Sequence, residues 1–268
     1  MPIHPTAVVD RHATIDPTVE IGPYVVIEGP VEVGARTRIG PHAVILGRTV
    51  LGADNVIHQG AAIGGVPQDL KFTGAPTGLR IGDRNVIREH AELHRATAPE
   101  TWTIVGDDNY FMSRSHVAHN CLLGNQTIVC SGALLAGHVT LGDQAFVSGN
   151  CVVHQYTRIG RLAILRGLSR TSRDVPPFSI MDGTHTVRGV NRVGLRRSGF
   201  DPTRVRTLVT AFRILFRVRT NLREAMARVE AECRSPEVDE LLAFIREAKH
   251  GVAMGPARGG NGGDEDTE

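Results

Sequence analysis

The sequence predicts an all-β fold, a parallel β-helix shaped as a triangular prism, followed by an α-helical region. Two observations lead to this class: branched aliphatic residues recur at every sixth position, and glycine often follows them. A period of six fits neither an α-helix nor an ordinary strand, but it fits a short strand plus a corner where glycine eases the bend. Three such hexads close a coil of 18 residues, and parallel coils stack about 4.8 Å apart.

The six-residue phase defines the extent of the prism. It is unbroken over residues 3–63, resumes over 81–93 and again over 105–165, and twenty-five positions in this one phase are apolar. Because chance does not produce such a run, we predict that residues 1–170 form the β-helix, with the aliphatic side chains directed inward. The hexads alone do not reveal the handedness of the coil.

Two interruptions of the phase are predicted to be loops. Residues 66–79 and 95–103 lack the hexad pattern, yet the phase is intact on either side of each. We therefore expect both segments to project outward from a regular prism. Loops held on a rigid scaffold often carry function.

The last third of the chain follows a different pattern. Residues 171–200 lose the repeat and are predicted to be an extended segment that closes the prism. Residues 201–251 are predicted to form a C-terminal helical domain, in which Asp201 caps the first helix and Pro202 occupies its first turn. The glycine-rich and then acidic tail, residues 252–268, is predicted to be disordered.

Composition narrows the classes of function. The chain has 268 residues, a net charge of +2 and four cysteines without CxxC spacing. The weak net charge argues against nucleic-acid binding, and such cysteines are typical of reduced thiols in the cytoplasm. No stretch reaches about 18 apolar residues and the N-terminus has no signal-peptide pattern, so we expect a cytoplasmic protein without membrane insertion.

Positive charge is concentrated late in the chain. Eleven arginines lie between Arg188 and Arg228, against two acidic residues, Asp201 and Glu224. This segment could hold an acidic partner protein or a diphosphate, since arginine forks suit phosphate. A solvated basic helix face would explain the pattern equally well.

An 18-residue coil converts sequence spacing into columns of stacked residues. His119, Gly137 and Gln155 are 18 residues apart and would form one column at a corner, with Asn120, His138 and Tyr156 in the adjacent column. None of these positions belongs to the aliphatic phase. Their side chains are therefore expected to point outward.

Two further histidines extend this cluster. His154 would lie beside Gln155, and His116 would lie on the flanking strand. A single exposed histidine on a repeat is usually only solvated, but histidines on three successive coils at one corner indicate a site. The chemistry of that site is either general base catalysis or metal binding.

The two chemistries make different demands. Histidines on adjacent coils bind zinc in the gamma-class carbonic anhydrases, but that class tends to use a His-x4-His pair, whereas this chain has His116-x2-His119. A general base needs an oriented imidazole near a substrate hydroxyl. No serine or cysteine nucleophile with a matching base stands out, which favours direct transfer. We predict no metal and no cofactor.

The first interruption contains a candidate binding residue. Lys71 is one of two lysines in a chain that otherwise uses arginine, and it follows Asp69 closely. A lysine here could meet a phosphate or a substrate hydroxyl as a compact charge, although an ordinary polar loop is the alternative. Gly64 and Gly65 do not form a phosphate-binding motif, because neither a Walker pattern nor GxGxxG follows them.

These motifs together resemble one family, the acyl-carrier-protein–UDP-N-acetylglucosamine O-acyltransferases, which start lipid A synthesis. The likeness runs in order over about residues 3–250. Besides the hexads, it rests on several short motifs: Gln68-Asp69-Leu70-Lys71, His116-Val117-Ala118-His119, Leu135-Ala136-Gly137-His138, His154-Gln155-Tyr156, Asp174-Val175-Pro176-Pro177, Gly189-Val190-Asn191 and Gly194-Leu195-Arg196-Arg197.

The resemblance implies a left-handed parallel β-helix with a C-terminal α-helical domain, assembled as a homotrimer with active sites between subunits. It implies that His119 is the general base, which deprotonates the glucosamine 3-hydroxyl for attack on a 3-hydroxyacyl thioester of acyl carrier protein. Gly137 matches the position of a backbone N–H that stabilises the oxyanion. Asn120 matches the residue that orients the base.

The resemblance also implies binding roles. The positions that line the nucleotide-sugar site correspond to Asp69, Lys71, His116, His138, His154, Gln155, Asn191 and Arg197. The acyl chain length is measured near Gly167, where the adjacent Arg166 could shorten or redirect the acyl tunnel. The surface that receives the acidic carrier protein corresponds to Arg192, Arg196, Arg204 and Arg213.

Three departures from the family pattern affect the expected activity. Asn120 replaces an aspartate, so it can orient His119 but cannot stabilise a protonated imidazole by charge. Val193 replaces a glutamate, and Ser198 replaces an arginine. The acceptor could therefore carry a 3-amine rather than a 3-hydroxyl. A non-catalytic relative that binds carrier protein or nucleotide sugar, and a metal-dependent carbonic-anhydrase-like lyase, are the remaining alternatives.

Overall fold

A computed structural model of the protein describes residues 3–217 and 221–256. In these ranges the chain forms a parallel β-helix with three faces, as predicted. Strand partners on successive regular coils are 18 residues apart, as Val8 and Val26 show. The first face contains the strands Val8–Val9, Val26–Glu28, Val44–Leu46, Ala62–Gly65, Glu92–His94, His116–Val117, Leu134–Leu135, Val152–Val153 and Arg170–Thr171.

The other two faces repeat the same arrangement. The second face contains the strands Thr14–Ile15, Glu32–Val33, Arg48–Leu51, Gly78–Ile81, Trp102–Val105, Leu122–Leu123, Thr140–Leu141 and Arg158–Ile159. The third face contains the strands Glu20–Ile21, Arg38–Ile39, Val56–Ile57, Val86–Ile87, Tyr110–Phe111, Ile128–Val129, Phe146–Val147, Ile164–Leu165, Ser179–Asp182 and Thr186–Val190.

The hexad aliphatics form the core of the prism. From Ile21 onward their side chains point inward from all three faces and are almost completely buried, as predicted; Ile27, Leu51 and Ile57 are examples from the three faces. Ile3, at the start of the prism, is 44% exposed. Since each buried leucine, isoleucine or valine contributes about 1.5–3 kcal/mol relative to exposure, this repeated column is the main source of stability.

The corners of the prism bend through left-handed backbone conformations. Asn120, His138 and Tyr156 have φ values of 59°, 62° and 65°. Residues other than glycine enter this region at a cost of roughly 1–2 kcal/mol, and here the inter-coil hydrogen bonds on both sides of the corner hold them. The predicted second column of the site therefore consists of corner residues in one repeated conformation.

The two loops are shorter than predicted. The strands that follow them begin at Gly78 and Trp102, so the loops comprise residues 66–77 and 95–101, here called the first loop and the second loop. Gly78 and Trp102 pair in register with each other and with Arg48 on the second face. These strands are four residues long, and the hexad pattern marks only their inward positions.

The prism extends beyond residue 170, which corrects the predicted boundary. Ser179–Asp182 pairs in parallel with Ile164–Leu165 and so adds a strand to the third face. Thr186–Val190 then turns back antiparallel to it. The segment predicted only as extended chain thus supplies a hairpin that covers the end of the core.

Four helices follow in the described residues. They are α1, Arg192–Arg197; α2, Pro202–Phe216; α3, Leu222–Glu232; and α4, Pro236–Arg246. The predicted start of α2 is confirmed, because the Asp201 side chain accepts hydrogen bonds from the backbone N–H groups of Thr203 and Arg204. Helix α1 was not predicted. None of the described helices has the length and apolar character needed to cross a membrane.

The start of the predicted disordered tail is packed against the prism. Val252 and Ala253 are buried, and strand-like bridges join Val252 to Asp174 and Met254 to Thr186. The prediction of disorder from residue 252 is wrong for these residues, because an apolar Val-Ala-Met segment precedes the glycine-rich part. Residues 257–268 lie outside the described residues.

Candidate active site at a corner of the prism

The predicted columns meet at the corner between the first and second faces. His138 donates its backbone N–H to the carbonyl of His119 at 2.9 Å, and Tyr156 donates to the carbonyl of Gly137 at 3.0 Å. The His119 ring lies against Gly137 of the next coil: a Cβ atom on Gly137 would be 2.4 Å from His119 Cε1. Only a residue without a side chain leaves room for the ring in this position.

Asn120 fixes the tautomer of His119. The Oδ1 atom of Asn120 is 3.0 Å from His119 Nδ1, and it also accepts hydrogen bonds from the backbone N–H and the hydroxyl of Thr97. Because a backbone N–H can only donate, the atom facing it must be the amide oxygen. That oxygen accepts from Nδ1–H, which leaves the lone pair of His119 on Nε2.

The second loop holds Asn120 in this orientation. Besides the two bonds from Thr97, the Asn120 amide nitrogen is 3.3 Å from the hydroxyl of Thr101, and the Asn120 backbone N–H donates to Thr103 at 2.8 Å. The sequence did not single out Thr97 and Thr101, since loop residues carry no periodicity. Threonines within an interruption that faces the histidine column were the available signal.

The first loop faces the other nitrogen of His119. Asp69 Oδ2 is 4.0 Å from His119 Nε2, too far for a hydrogen bond between them. The Asp69 carboxylate accepts the backbone N–H of Lys71 at 2.9 Å, which fixes the turn. A substrate hydroxyl entering between Nε2 and Asp69 would find an acceptor on one side and a negative charge on the other. Lys71 is exposed on the same loop.

His138 completes the corner. Burial lowers its pKa, and the neighbouring His119 lowers it further, while Asp69 acts in the opposite direction. Its ring stacks on Tyr156 with 4.5 Å between centroids and meets the His119 ring edge-on at 5.3 Å. His154 and Gln155 are exposed on the next coil, which is in register with this one through the Tyr156–Gly137 hydrogen bond. The structure therefore brings His119, His138 and His154 to one corner.

His116 lies in a different group, which the sequence did not reveal. Its Nδ1 atom is 3.2 Å from Glu92 Oε2, and that oxygen is 3.8 Å from His94 Nε2. Burial lowers the pKa of His116, and Glu92 opposes this effect. Glu92 is paired with His116 across 24 residues because the second loop intervenes, so the 18-residue rule could not connect them.

Glu92, His94 and His116 are the one set of three potential metal ligands gathered within 4.8 Å in the described ranges. The metal hypothesis from sequence used other members of the histidine cluster together with His116. That combination does not form such a set among the described residues.

Two predicted binding residues have structural functions. Asn191 is buried and caps α1, since its side chain accepts from the Gly194 N–H and donates to the Leu162 carbonyl at 2.8 Å each. Arg204 pairs with the buried carboxylate of Glu237. Both side chains are engaged within the chain, so this geometry does not support Asn191 as a sugar ligand or Arg204 as a free charge for a carrier protein.

The remaining predicted residues are accessible. Arg192 and Arg213 line a groove together with Val190, Val209 and Phe212. The other exposed positions are Arg166, Gly167, Val193, Arg196, Arg197 and Ser198. Arg166 is 3.7 Å from Asp182, and the Ser198 hydroxyl donates to Gln144 at 3.2 Å.

Comparison with protein families supports the resemblance. Residues 174–253 match the family described as "Udp N-acetylglucosamine O-acyltransferase; Domain 2". Residues 12–47 match the family described as "Bacterial transferase hexapeptide (six repeats)".

Similar proteins cover almost the whole chain. The acyl-(acyl-carrier-protein)–UDP-N-acetylglucosamine O-acyltransferase of Janthinobacterium sp. (strain Marseille) is 47% identical over 248 residues, 91% of this chain and 95% of that protein. The protein of the same name from Thermodesulfovibrio yellowstonii is 43% identical over 93% of this chain and 98% of its own length.

Solved structures agree with the sequence relatives. The UDP-N-acetylglucosamine acyltransferase of Bacteroides fragilis superposes with a TM-score of 0.90 at 38% identity, covering 93% of this chain and 99% of that one. The enzyme of Francisella novicida gives a TM-score of 0.90 at 32% identity, over 95% and 94% of the two chains. The predicted fold class, a left-handed parallel β-helix with C-terminal helices, is confirmed.

Proposed function

The chain belongs to the acyl-carrier-protein–UDP-N-acetylglucosamine O-acyltransferases, and on that premise we propose that it transfers a 3-hydroxyacyl chain from acyl carrier protein to the 3-hydroxyl of UDP-N-acetylglucosamine, the first step of lipid A biosynthesis. The observation that supports the mechanism is the orientation of His119. Its Nδ1–H is bound by Asn120, which leaves Nε2 as a base directed toward Asp69.

His119 acts as a general base and then as a general acid. Its Nε2 removes the proton from the sugar hydroxyl as the hydroxyl oxygen attacks the thioester carbonyl. The C–S bond then breaks, and the imidazolium returns the proton to the departing thiolate of the carrier protein. Asn120 holds the ring through this cycle without adding charge.

The Gly137 N–H stabilises the oxyanion. Within the described residues it donates to no acceptor, and it lies directly beside the His119 ring. A free donor next to the base is the arrangement that stabilises charge on the carbonyl oxygen in the transition state.

Transfer is direct rather than through an acyl-enzyme. All four cysteines are buried, and burial raises the pKa of Cys121 to about 12, so this thiol next to the site is not a thiolate at neutral pH. The hydroxyl of the acceptor is then the nucleophile.

The active site is completed in a homotrimer. Two pairs of exposed aliphatic residues flank the corner: Leu134 and Val152 are 44% and 48% exposed on the first face, and Ile104 and Leu122 are 39% and 46% exposed on the second. Each pair is aligned across neighbouring strands. Continuous apolar stripes of this kind mark surfaces that pack against another subunit.

The carrier protein docks on the C-terminal groove. Arg192 and Arg213 line it together with the apolar residues Val190, Val209 and Phe212. An acidic protein with an apolar patch complements this surface in charge and character. Arg196 extends the positive area, whereas Arg204 is compensated by Glu237.

Product analysis tests the proposal. The purified full-length protein is incubated with carrier proteins bearing 3-hydroxyacyl chains of several lengths and either UDP-N-acetylglucosamine or its 3-amino analogue, and the products are identified by mass spectrometry. We expect an ester with UDP-N-acetylglucosamine that mild alkali cleaves, with a preferred chain length set near Gly167 and Arg166. An amide formed only with the amino analogue would change the acceptor, and substrate binding without any product would show a non-catalytic relative.

A further inference from the structure

Three potential ligands converge on the first face beside the active site. Glu92 and His94 belong to the strand Glu92–His94, and His116 belongs to the adjacent strand, in register with Glu92. Because side chains alternate along a strand, Glu92 and His94 point outward together, while Leu93 between them is buried. Their ligand atoms and that of His116 lie within 4.8 Å of one another.

The tautomer of His94 is fixed so that a lone pair faces this group. His94 Nδ1 is 2.8 Å from the carbonyl oxygen of Val66. A carbonyl can only accept, so Nδ1 carries the proton and Nε2 carries the lone pair. That lone pair is directed at the Glu92 carboxylate, 3.8 Å away. A cation placed between these two acceptors would be bound by both.

The dimensions suit a small transition-metal ion. Four-coordinate zinc lies about 2.0–2.2 Å from nitrogen and oxygen ligands, which places neighbouring ligands roughly 3.3–3.5 Å apart. The separations from Glu92 Oε2 are 3.8 Å to His94 Nε2 and 3.2 Å to His116 Nδ1, where the ion would replace the proton of the hydrogen bond between the two side chains. The hydrogen bond from His94 to the Val66 carbonyl is the kind of second contact that orients metal-bound imidazoles.

We propose that Glu92, His94 and His116 form a binding site for one divalent transition-metal ion of the zinc class, with a fourth position open to solvent. Two imidazoles and one carboxylate favour zinc over magnesium or calcium, which prefer all-oxygen sites. The ion would join the prism to the first loop through His94 and Val66. It would also engage His116, which lies three residues before His119, so ion and nucleotide sugar would compete for this residue.

Metal titration tests the site without any activity assay. The metal-free full-length protein is titrated with zinc chloride in a calorimeter, and with cobalt chloride while the visible spectrum is recorded. We expect about one ion per chain and a cobalt spectrum typical of a low-coordinate nitrogen and oxygen site, while magnesium chloride gives no such binding. Wild-type protein that takes up no zinc at this stoichiometry would overturn the proposal, whatever the outcome of the acyl-transfer assay.

Variants locate the ion. Glu92→Gln and His94→Gln each remove one ligand at a partly accessible position, and we expect each to lower zinc affinity at least about tenfold. His58→Gln is the matched control, because His58 lies 3.5 Å from the carboxylate of Glu89 but outside this group. Thermal unfolding of the metal-free variants checks that each is folded. Equal zinc affinity in all three variants and the wild type would place the ion elsewhere and reject the site.

Discussion

The first and second loops lie on opposite sides of the His119 ring, and each makes a different kind of contact with the nitrogen that it faces. The second loop is tied to the prism, since Arg95 and Ala96 donate backbone hydrogen bonds to the carbonyls of Gly65 and Gly78, and it holds Nδ1 through Asn120. The first loop is largely exposed and presents Asp69 to Nε2 across 4.0 Å. One nitrogen is therefore fixed before substrate arrives, while the other faces a space that substrate must fill.

The two sides of His119 therefore differ in function: the Nδ1 side orients the base before substrate binds, and the Nε2 side contributes only when substrate is bound. Hydrogen bonds that position the base are formed entirely within the chain and cost nothing when substrate binds. The contact on the other side becomes useful only when a hydroxyl is placed between Nε2 and the carboxylate. Substitutions in the second loop should therefore lower kcat, and substitutions in the first loop should change KM for the nucleotide sugar as well.

Removing the imidazole ring of His119 is expected to give the largest effect on kcat. His119→Ala is expected to lower kcat about 10²–10⁴-fold, the usual contribution of a general base, while the subunit assembly seen by gel filtration is unchanged. Steady-state rates with 3-hydroxyacyl carrier protein give the measurement. Activity close to that of the wild type would reject His119 as the base.

Displacing the ring disturbs both sides at once. Gly137→Ala places a Cβ atom 2.4 Å from His119 Cε1, so the ring must move, and we expect kcat to fall about 100-fold. Gly149→Ala is the control, because its added carbon meets nothing closer than 3.4 Å. Equal rates for the two variants would show that the contact between Gly137 and His119 does not position the base.

Removing the negative charge of Asp69 tests the side of His119 on which Nε2 faces the first loop. Asp69→Asn keeps the size of the side chain and can still accept the Lys71 N–H, but it removes the charge near Nε2. We expect kcat/KM to fall about tenfold, with part of the loss in KM for the nucleotide sugar. The initial rate as a function of sugar concentration separates the two constants, and an unchanged kcat/KM would exclude Asp69 from the reaction.

Removing one hydrogen bond between the second loop and Asn120 tests the side of His119 on which Nδ1 is held. Thr97→Val removes the hydroxyl bond to Asn120 but keeps the backbone N–H bond to the same oxygen. Because one of the two anchors is retained, we expect a decrease of about threefold to tenfold in kcat with little change in KM. A change confined to KM would contradict a positioning role for Thr97.

A negative charge placed beside Nδ1 of His119 is expected to give the smallest change in rate. Asn120→Asp supplies a carboxylate that stabilises the protonated imidazole, so we expect a severalfold higher rate and an acid limb of the pH–rate profile displaced to higher pH. The profile is recorded for both proteins across the neutral range. Identical rates and profiles would mean that the charge at this position is irrelevant to the base.

The regular part of the molecule was predictable because one period governs it. The inward aliphatics and the columns through His119, Gly137 and Gln155 follow from an 18-residue coil, and the structure contains them in that register. The end of the prism was not predictable from the hexads, because the hairpin that begins at Ser179 and the packing of Val252 depend on contacts between distant segments.

The irregular part of the site escaped the sequence for a related reason. Thr97 and Thr101 act on Asn120 from a loop without periodicity, and Glu92 reaches His116 across an offset lengthened by that loop. Asn191 was expected to line the sugar site, but its side chain is used to cap α1. Local spacing does not distinguish a side chain that binds a ligand from one that completes a helix end.

The column of corner residues also governs how substitutions combine. Residues one coil apart are in contact, as His119 and Gly137 are, whereas His119 and Gln155 are two coils apart, roughly 9–10 Å along the prism axis. Free-energy effects of substitutions become additive beyond about 7–10 Å. The effects of substitutions at neighbouring positions of this corner are therefore expected to be coupled, whereas those two coils apart are expected to add. The chemistry of the base and the recognition of more distant substrate groups can then be altered one at a time.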